Sequence, residues 1–482
     1  MSLDLHVCSQ ARLARDARFD GRFFIGVRTT RIYCRPICPV RSVKEENVRY
    51  FQTAAAATEA GYRACLRCRP ESAPGTPAWS GTSATVARAL RLISEGALED
   101  ESVEKLAARL GIGGRQLRRL FARHLGASPT AIMKTRRLHF AKKLIDETNL
   151  PFNDIAIAAG FGSVRRFNSE FRNTYNRTPT QIRKLSPAGS LLSSNQYLFD
   201  LRFRPPFQWE ALLEFLAKNA IPGVETIQSN CYQRTIAIDN CAGTISVSLK
   251  QAHPALQVHV SFTEPCLLFQ IIGRLRRMFD LDVDVREVDS HLSQDSLLAR
   301  RIKAMAGLRV PGAWDGYELA LHTIISQHTS ITETRVLIGR IVRAFGKRIS
   351  DTFPLTHLFP RPEALTDANL GQLGFTVVCA ESIRSLTHKV MANRISFSGS
   401  QDPNELRARL REVTGLDQWS IEYIAMRALS DPDAFPATNR GPLMRRAEGW
   451  RPWRAYAAMY LWQGNSIQTN RLPRLHINAL SA

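Results

Sequence analysis

Four of the nine cysteines in this chain of 482 residues form two closely spaced pairs. Cys34 and Cys38 form a C-x3-C pair, and Cys65 and Cys68 form a C-x2-C pair after 26 intervening residues. This spacing is typical of tetrahedral zinc coordination by four thiolates, which stabilises folds too small for a large core. We therefore predict one zinc ion at these four sulfurs. The remaining cysteines have no ligand spacing and are predicted to be small buried side chains: Cys8, Cys231, Cys241, Cys266 and Cys379.

Length and charge indicate several domains and a polyanionic partner. A single core stops growing near roughly 250 to 300 residues, so this chain should contain three or four domains. Lys and Arg total 65 against 43 acidic residues, and the formal charge of +22 favours double-stranded DNA, or serves only solubility. No run approaches the about 18 apolar residues of a membrane span. Since the N-terminal stretch lacks a signal-peptide core, we expect a soluble, cytoplasmic protein without a membrane partner.

Segments rich in Pro, Gly and Ser at 72–83 and 186–194 are interpreted as linkers. Between and after them, helical periodicity fills the middle segment, while strand-like runs such as YLFDLRF and TISVSL begin the last segment. The predicted fold class is multidomain α+β. Its parts are a zinc domain at 1–72, an all-α double helix-turn-helix domain at 84–185, an antiparallel-sheet subdomain at 196–307, an all-α helix-hairpin-helix domain at 308–463, and a tail of unknown role at 464–482.

The residues around the cysteines carry a specific resemblance. The strings FFIGVRTTRIYCRPICPVR, EENVRYF and AGYRACLRCRP resemble the N-terminal methyl-acceptor domain of the Ada adaptive-response family. The resemblance implies that Cys34 irreversibly accepts a methyl group from a DNA methyl phosphotriester, with Cys38, Cys65 and Cys68 as the other ligands. Zinc would be both structural and activating, since a coordinated thiolate stays deprotonated at neutral pH. Methylation removes one negative charge and should raise DNA affinity.

A purely structural zinc site is the alternative interpretation of the same four cysteines. Nearby basic residues, Arg35, Arg41 and Lys44, are either phosphate contacts or a solvated basic face. Methylation of Cys34 distinguishes a methyl acceptor from an ordinary zinc-stabilised transcription factor.

The middle segment contains two helix-turn-helix patterns. In the first, Ser102 can cap a helix and Gly111 permits the turn before a helix with an arginine-rich face. The second pattern, PFNDIAIAAGFGSVRRFNSEFRNTYNRTPTQIR, repeats this arrangement. Together they resemble an AraC-type DNA-binding domain over about 85–185, which implies sequence-specific operator binding and RNA polymerase as a further partner. The arginines assigned to DNA binding are Arg115, Arg118, Arg119, Arg165 and Arg166.

The last segment resembles the AlkA family of 3-methyladenine DNA glycosylases, or DNA glycosylase II, of the HhH-GPD superfamily. The strings GLRVPGAWDGYELALHTIISQHTS, VTGLDQWSIEYIAMRALSDPDAFPATNRG and WRPWRAYAAMYLW carry the resemblance, which extends over 198–462. It implies that Trp419, Tyr423 and Trp462 stack against an extruded alkylated base, although ordinary core aromatics are the alternative. Gln327 and His328 fall at the wedge that replaces the extruded base.

Three positions depart from that family, and the first is His328, which stands at the wedge where the family often has an apolar residue. In the hairpin around Gly415, Asp417 stands where the family has glycine, which sets a carboxylate where backbone amides should approach a DNA phosphate or a bridging monovalent cation, and this should weaken the grip on DNA. The catalytic aspartate falls at Asn439. An amide cannot stabilise an oxocarbenium-like transition state, and losing such a term costs on the order of 100-fold in rate. We therefore predict an impaired glycosylase.

Three functions remain open from the sequence: a repair and regulation fusion, a methyl-triggered regulator whose last domain only binds lesions, or a purely regulatory DNA-binding factor. No Pro-Cys-His-Arg string of the guanine O6-methyltransferase type occurs in the sequence, so we predict no O6-methylguanine repair. The expected oligomeric state is a monomer.

Overall fold

The computed structural model describes residues 4–40, 43–73, 84–97, 102–185, 195–350, 354–399, 401–437 and 441–463. Most of the predicted linkers at 72–83 and 186–194, and the tail at 464–482, lie outside the described residues. The chain divides into two compact units. The first comprises Met1–Pro205, Lys250–Arg276 and Leu281–Asp284; the second comprises Pro206–Leu249, Arg277–Asp280 and Val285–Ala482. Within the described ranges, every helix is too short or too polar to cross a membrane.

The first unit begins with a small mixed sheet. Its elements are α1 (Leu5–Leu13), β1 (Phe24–Val27), β2 (Ile32–Cys34), β3 (Val48–Phe51), α2 (Ala54–Glu59) and β4 (Arg63–Ala64). The strand order is β3-β1-β2-β4, with β1 antiparallel to both of its neighbours and β4 parallel to β2. Apolar side chains of α1 pack on this sheet around Phe23 and Ile25. This core is small, as expected for a domain that a metal stabilises.

Seven α-helices directly follow the small sheet in the described part of the first unit. They are α3 (Ala84–Ser94), α4 (Val103–Arg109), α5 (Gly114–Leu125), α6 (Pro129–Glu147), α7 (Phe152–Ala158), α8 (Val164–Tyr175) and α9 (Pro179–Arg183). The Ser102 hydroxyl accepts a hydrogen bond from the Lys105 N–H, and Gly111 has a φ of +73°, as the sequence predicted for the cap and the turn. The pairs α4–α5 and α7–α8 form the two predicted helix-turn-helix units, joined by α6.

Antiparallel strands follow, confirming the predicted sheet. Their bounds are β5 (Gln196–Arg202), β6 (Glu225–Gln228), β7 (Cys231–Ile238), β8 (Cys241–Lys250) and β9 (Ala255–Phe262). In the first unit β5 pairs with β9, and in the second unit β7 pairs with both β6 and β8. Alternate residues of β5 are buried, which is the period expected for a strand with one face on a core. The sequence did not predict β6 or α10 (Trp209–Lys218).

The remaining helices follow the strands, and those from Gly316 onward lie in the predicted all-α domain at 308–463. They are α11 (Leu268–Met278), α12 (Val285–Leu292), α13 (Ser296–Ala304), α14 (Gly316–His328), α15 (Ile331–Phe345), α16 (Pro362–Leu365), α17 (Val377–Met391), α18 (Pro403–Arg411), α19 (Gln418–Ala428), α20 (Pro442–Ala447) and α21 (Arg454–Gln463). The multidomain α+β class is thus confirmed. The prediction of burial is wrong for Cys266, which is exposed, and holds only partly for Cys231 and Cys241.

Candidate metal centre and DNA-binding sites

The four predicted cysteine ligands meet at one point of the first unit. Their sulfur atoms all lie within 4.8 Å of one another. Zn2+ with four sulfurs at about 2.3 Å in a tetrahedron requires sulfur separations of roughly 3.8 Å, so the cluster fits such an ion with small adjustments. Cys65 and Cys68 are buried, while Cys34 and Cys38 are half-buried.

Strand pairing explains how residues distant in sequence form this cluster. Cys34 ends β2, and Cys65 directly follows β4, which runs parallel to β2 with Tyr33 opposite Ala64. The Cys65 N–H donates to the Tyr33 carbonyl at 3.0 Å, which continues that pairing to the metal ligands. Each strand therefore delivers one cysteine at its end, and a tight turn returns the second cysteine of each pair.

Arg35 is buried, so neither interpretation made from the sequence, a phosphate contact or part of a solvated basic face, holds for this residue. Its side chain forms an ion pair with Asp20. Its Nη1 also donates to the Cys68 carbonyl at 3.0 Å, and its backbone N–H donates to Cys68 Sγ at 3.4 Å. Arg35 therefore holds the second cysteine pair in place, and its positive charge lies beside an anionic cluster.

The arginines predicted to bind DNA occupy exposed faces of the two second helices. Arg115, Arg118 and Arg119 lie on α5, and Arg165 and Arg166 lie in the first turn of α8. The opposite faces bury apolar side chains that include Phe121 and Phe167, whereas Leu120 is only partly buried. Two of the arginines have acidic partners, since Arg118 pairs with Glu104 at 2.6 Å and Arg166 with Glu170 at 3.1 Å.

In the second unit, the three aromatic residues predicted for the base pocket lie together. The ring centroids of Trp419 and Tyr423 are 4.9 Å apart with an interplanar angle of 15°, and Trp462 lies 6.5 Å and 6.1 Å from them. All three side chains are buried. The Tyr423 hydroxyl accepts a hydrogen bond from Arg427 at 2.9 Å, and Arg427 also donates to the Pro311 carbonyl. Their role as a base pocket remains a prediction.

Gly415 and Asp417 lie in the hairpin that directly precedes α19. Gly415 has a φ of +76°, and a Cβ there would lie 2.6 Å from Ser382 Oγ, so glycine is required at this position. The Asp417 carboxylate caps α19 by accepting the Ser420 N–H at 2.8 Å. Sequence reasoning missed this cap, although Asp-x-x-Ser before an apolar helix is a cap signal. Gln327 donates to the Gly415 carbonyl at 3.2 Å, and His328 is the last residue of α14.

Replacing Asp417 with asparagine separates capping from charge. Asparagine caps helices about as well as aspartate, so the thermal unfolding midpoint should not change. Removing one negative charge near a phosphate should strengthen binding by about 1 kcal/mol, or roughly fivefold. The measurement is affinity for a duplex with an abasic-site analogue relative to intact duplex. As a control, Asp417→Ala should show the same gain in affinity but a lower unfolding midpoint; unchanged affinity in both variants would contradict the prediction.

Asn439 lies outside the described residues, between Ala437 and Gly441. Two nearby carboxylates are described, and both are held by arginines. Asp431 accepts from Arg407 at 2.6 Å, and Asp433 accepts from Arg454 at 2.8 Å. Neither carboxylate is therefore free to replace the family's aspartate.

Comparisons with known proteins match several parts of the chain. The family model described as the metal binding domain of Ada matches residues 7–71, a helix-turn-helix domain matches 106–185, and the AlkA N-terminal domain matches 198–315. A full-length relative from Mycobacterium tuberculosis, "Probable bifunctional transcriptional activator/DNA repair enzyme AlkA", is 37% identical over 490 residues. That match covers 98% of this chain and 98% of the relative. The chain belongs to this family.

Two further relatives resemble separate parts of this bifunctional AlkA family member. DNA-3-methyladenine glycosylase 2 of Escherichia coli is 27% identical over 279 residues, which cover 55% of this chain and 96% of that protein. The bifunctional activator and repair enzyme Ada of Escherichia coli is 33% identical over 177 residues, covering 36% of this chain and 48% of that protein. The resemblances to the Ada, AraC and AlkA families predicted from the sequence are therefore confirmed.

Proposed function

We propose that this protein repairs methyl phosphotriesters at Cys34 and that the methylated form activates transcription from operator DNA. The observation that carries this proposal is the four-sulfur cluster in an Ada-type metal-binding domain, in the same chain as two helix-turn-helix units. Family membership supports the combination, since the Mycobacterium tuberculosis relative is named as both activator and repair enzyme.

The donor set supports Zn2+ as the metal. Four cysteine sulfurs and no oxygen ligand suit zinc better than magnesium or calcium, which prefer oxygen. Bound zinc would supply deprotonated thiolates at neutral pH. Cys38, Cys65 and Cys68 would hold the ion together with Cys34, and Arg35, which is paired with Asp20, would keep Cys68 in place through a hydrogen bond to the Cys68 carbonyl.

The reaction at Cys34 is a methyl transfer between two nucleophiles. The Cys34 thiolate forms a bond to the methyl carbon while the bond from that carbon to the phosphotriester oxygen breaks. The phosphate leaves with the electron pair as an ordinary backbone diester, and the thiolate becomes a neutral thioether. The charge of a four-thiolate zinc centre changes from about minus two to minus one. Each protein molecule therefore accepts one methyl group.

Hydrogen bonding favours Cys34 over the other cysteines as the acceptor. A sulfur that accepts an N–H bond is less electron-rich and less nucleophilic. The Arg35 N–H donates to Cys68, and the backbone N–H groups of Val40 and Cys68 interact with Cys38 and Cys65 respectively. For Cys34, the neighbours with the largest influence are the other three cysteine sulfurs.

Incubation with methylated DNA tests both halves of the proposal. Wild-type protein should take up one labelled methyl per molecule and then bind duplex DNA about fivefold more tightly, since one fewer negative charge near phosphate is worth about 1 kcal/mol. The gain should shrink as salt rises, because it is electrostatic. The same protein incubated with unmethylated DNA is the control. Uptake without any gain in affinity would refute the regulatory half.

We also propose that α5 and α8 read the operator through the major groove. Arg115, Arg119 and Arg165 are exposed there. RNA polymerase is the expected second partner of this activator. The protein itself is expected to be a monomer.

For the last domain, we propose lesion binding with impaired base removal. The cluster of Trp419, Tyr423 and Trp462 supports recognition of electron-poor alkylated bases. Asn439 lacks the charge that bond breakage needs, and Asp431 and Asp433 are tied to arginines. A monovalent cation at the hairpin would lie near the Asp417 carboxylate, one oxygen of which already accepts the Ser420 N–H at the start of α19.

A further inference from the structure

Helix α6 carries two lysines that are buried, although a helix between two DNA-binding units would normally expose them. The Lys142 side chain is 3% exposed and the Lys143 side chain 9%. A buried ammonium group requires charged partners. Lys142 Nζ lies 2.6 Å from Glu71 and 2.7 Å from Asp146. Glu71 belongs to the metal-binding part of the chain, three residues after a metal ligand.

The residue directly after that ligand makes a second charged contact. Arg69 directly follows Cys68, and its Nη2 lies 2.6 Å from Asp146 of α6. Its Nε lies 3.3 Å from Glu71. Three cations, Arg69, Lys142 and Lys143, thus face three anions, Glu71, Asp146 and Glu147, in a neutral network whose most exposed member is Arg69. The loop that holds Cys68 is therefore bound to α6.

The methyl-acceptor strand contacts the same helix. Tyr33 directly precedes Cys34 and is fully buried, and its hydroxyl lies 2.9 Å from His139 Nε2 of α6. Burial lowers the pKa of His139 to about 4, so the imidazole is neutral and can share this hydrogen bond at neutral pH. Both cysteine pairs are consequently connected to α6 through a neighbouring residue.

Two further hydrogen bonds connect the metal-binding part to the end of the recognition helix α5 and to the start of α6. The Thr53 hydroxyl donates to the Leu125 carbonyl at the end of α5, over 3.0 Å. The hydroxyl of Ser128, which caps α6, donates to Glu59 of α2 at 2.9 Å. The metal-binding sheet and its helix α2 thus contact the end of α5 and the start of α6.

We propose that Tyr33, His139, Arg69, Glu71, Lys142 and Asp146 are positioning residues that fix Cys34 relative to the recognition helix α5. A phosphate at the methylated metal centre and base edges at α5 are then contacted in one register on the duplex. Methylation consequently strengthens binding to a matching sequence more than to random DNA. This inference rests on the proposed methyl uptake, but it makes a separate claim about sequence selectivity.

The test compares full-length variants that break the docking with one that breaks a similar pair elsewhere. Tyr33→Phe removes one hydrogen bond, and the double variant Glu71→Gln/Lys142→Gln removes one charge of each sign. The control, Arg91→Gln/Glu95→Gln, removes an i,i+4 pair at the end of α3. Each protein is methylated with random-sequence methylated duplex, and the label taken up is counted. Affinity is then measured for random duplex and for a duplex selected from a random pool by methylated wild-type protein.

Wild type and the control should share the same ratio of selected to random affinity after methylation. Both docking variants should take up methyl normally, yet this ratio should fall by about tenfold, the size of one misplaced base contact. Lys142→Arg should retain most of the ratio, because it keeps the charge. Equal ratios in all variants would overturn the docking proposal. Absence of methyl uptake by wild type would instead refute the proposed function. If the double variant takes up no methyl, the affinity ratio of Tyr33→Phe alone decides the docking proposal.

Discussion

Replacing Cys34 with serine is expected to abolish methyl uptake from methyl phosphotriester DNA. A serine hydroxyl stays protonated at neutral pH, whereas a zinc-bound cysteine is a thiolate, so the variant lacks the nucleophile. We expect incorporation of labelled methyl to fall below detection, a loss of on the order of 1000-fold or more in rate. The measurement is labelled methyl per protein after exposure to DNA methylated on its backbone.

Two companion variants make this result specific. Cys266→Ser removes an exposed thiol outside the metal cluster and should take up methyl like wild type. Cys38→Ser removes a ligand but keeps Cys34, and metal content measured on each sample separates loss of the nucleophile from loss of the metal. Normal uptake by Cys34→Ser, or loss of uptake in Cys266→Ser, would contradict the assignment.

The second large effect concerns the position of the family's catalytic aspartate. Asn439→Asp is expected to raise the rate of base release from alkylated duplex DNA by about 100-fold, because a carboxylate stabilises positive charge on the sugar and an amide does not. The measurement is the formation of heat-labile abasic sites, with wild type and variant side by side. Aromatic residues that would bind the base are already brought together at Trp419, Tyr423 and Trp462.

Asn439→Gln is the matched control, since it changes the side chain without adding charge, and it should behave like wild type. If wild type releases bases as fast as the aspartate variant, Asn439 does not impair the enzyme and our proposal for this domain is wrong. If no variant releases bases, the hairpin at Asp417 becomes the next position to change.

The metal ligands could be predicted from the sequence because the information is local. Each cysteine pair has its own spacing, and only the meeting of the two pairs required the fold, through the parallel pairing of β2 and β4. The helix-turn-helix units could also be predicted from the sequence, since Ser102 indicates a helix cap and Gly111 a turn, and the two lie close together in the chain. Patterns that a single element must satisfy can be read along the chain.

Side-chain partners distant in sequence could not be predicted. Arg35 follows a metal ligand and resembles a phosphate contact, but its partner Asp20 buries it. Lys142 has the sequence context of a solvated helix face, and only the fold brings Glu71 to within 2.6 Å. The sequence shows that a side chain is charged, but it does not show whether that side chain contacts DNA, water or another residue. Long-range ion pairs are therefore what the structure adds to the site.

One measurement tests the central claim most directly. Wild-type protein is incubated with duplex DNA whose only methyl groups are deuterated and lie on backbone phosphates, and its peptides are analysed by tandem mass spectrometry. The account predicts one deuterated methyl on Cys34 and none on Cys38, Cys65 or Cys68. A deuterated methyl on another cysteine, or on no residue at all, would contradict the assignment of Cys34 as the acceptor.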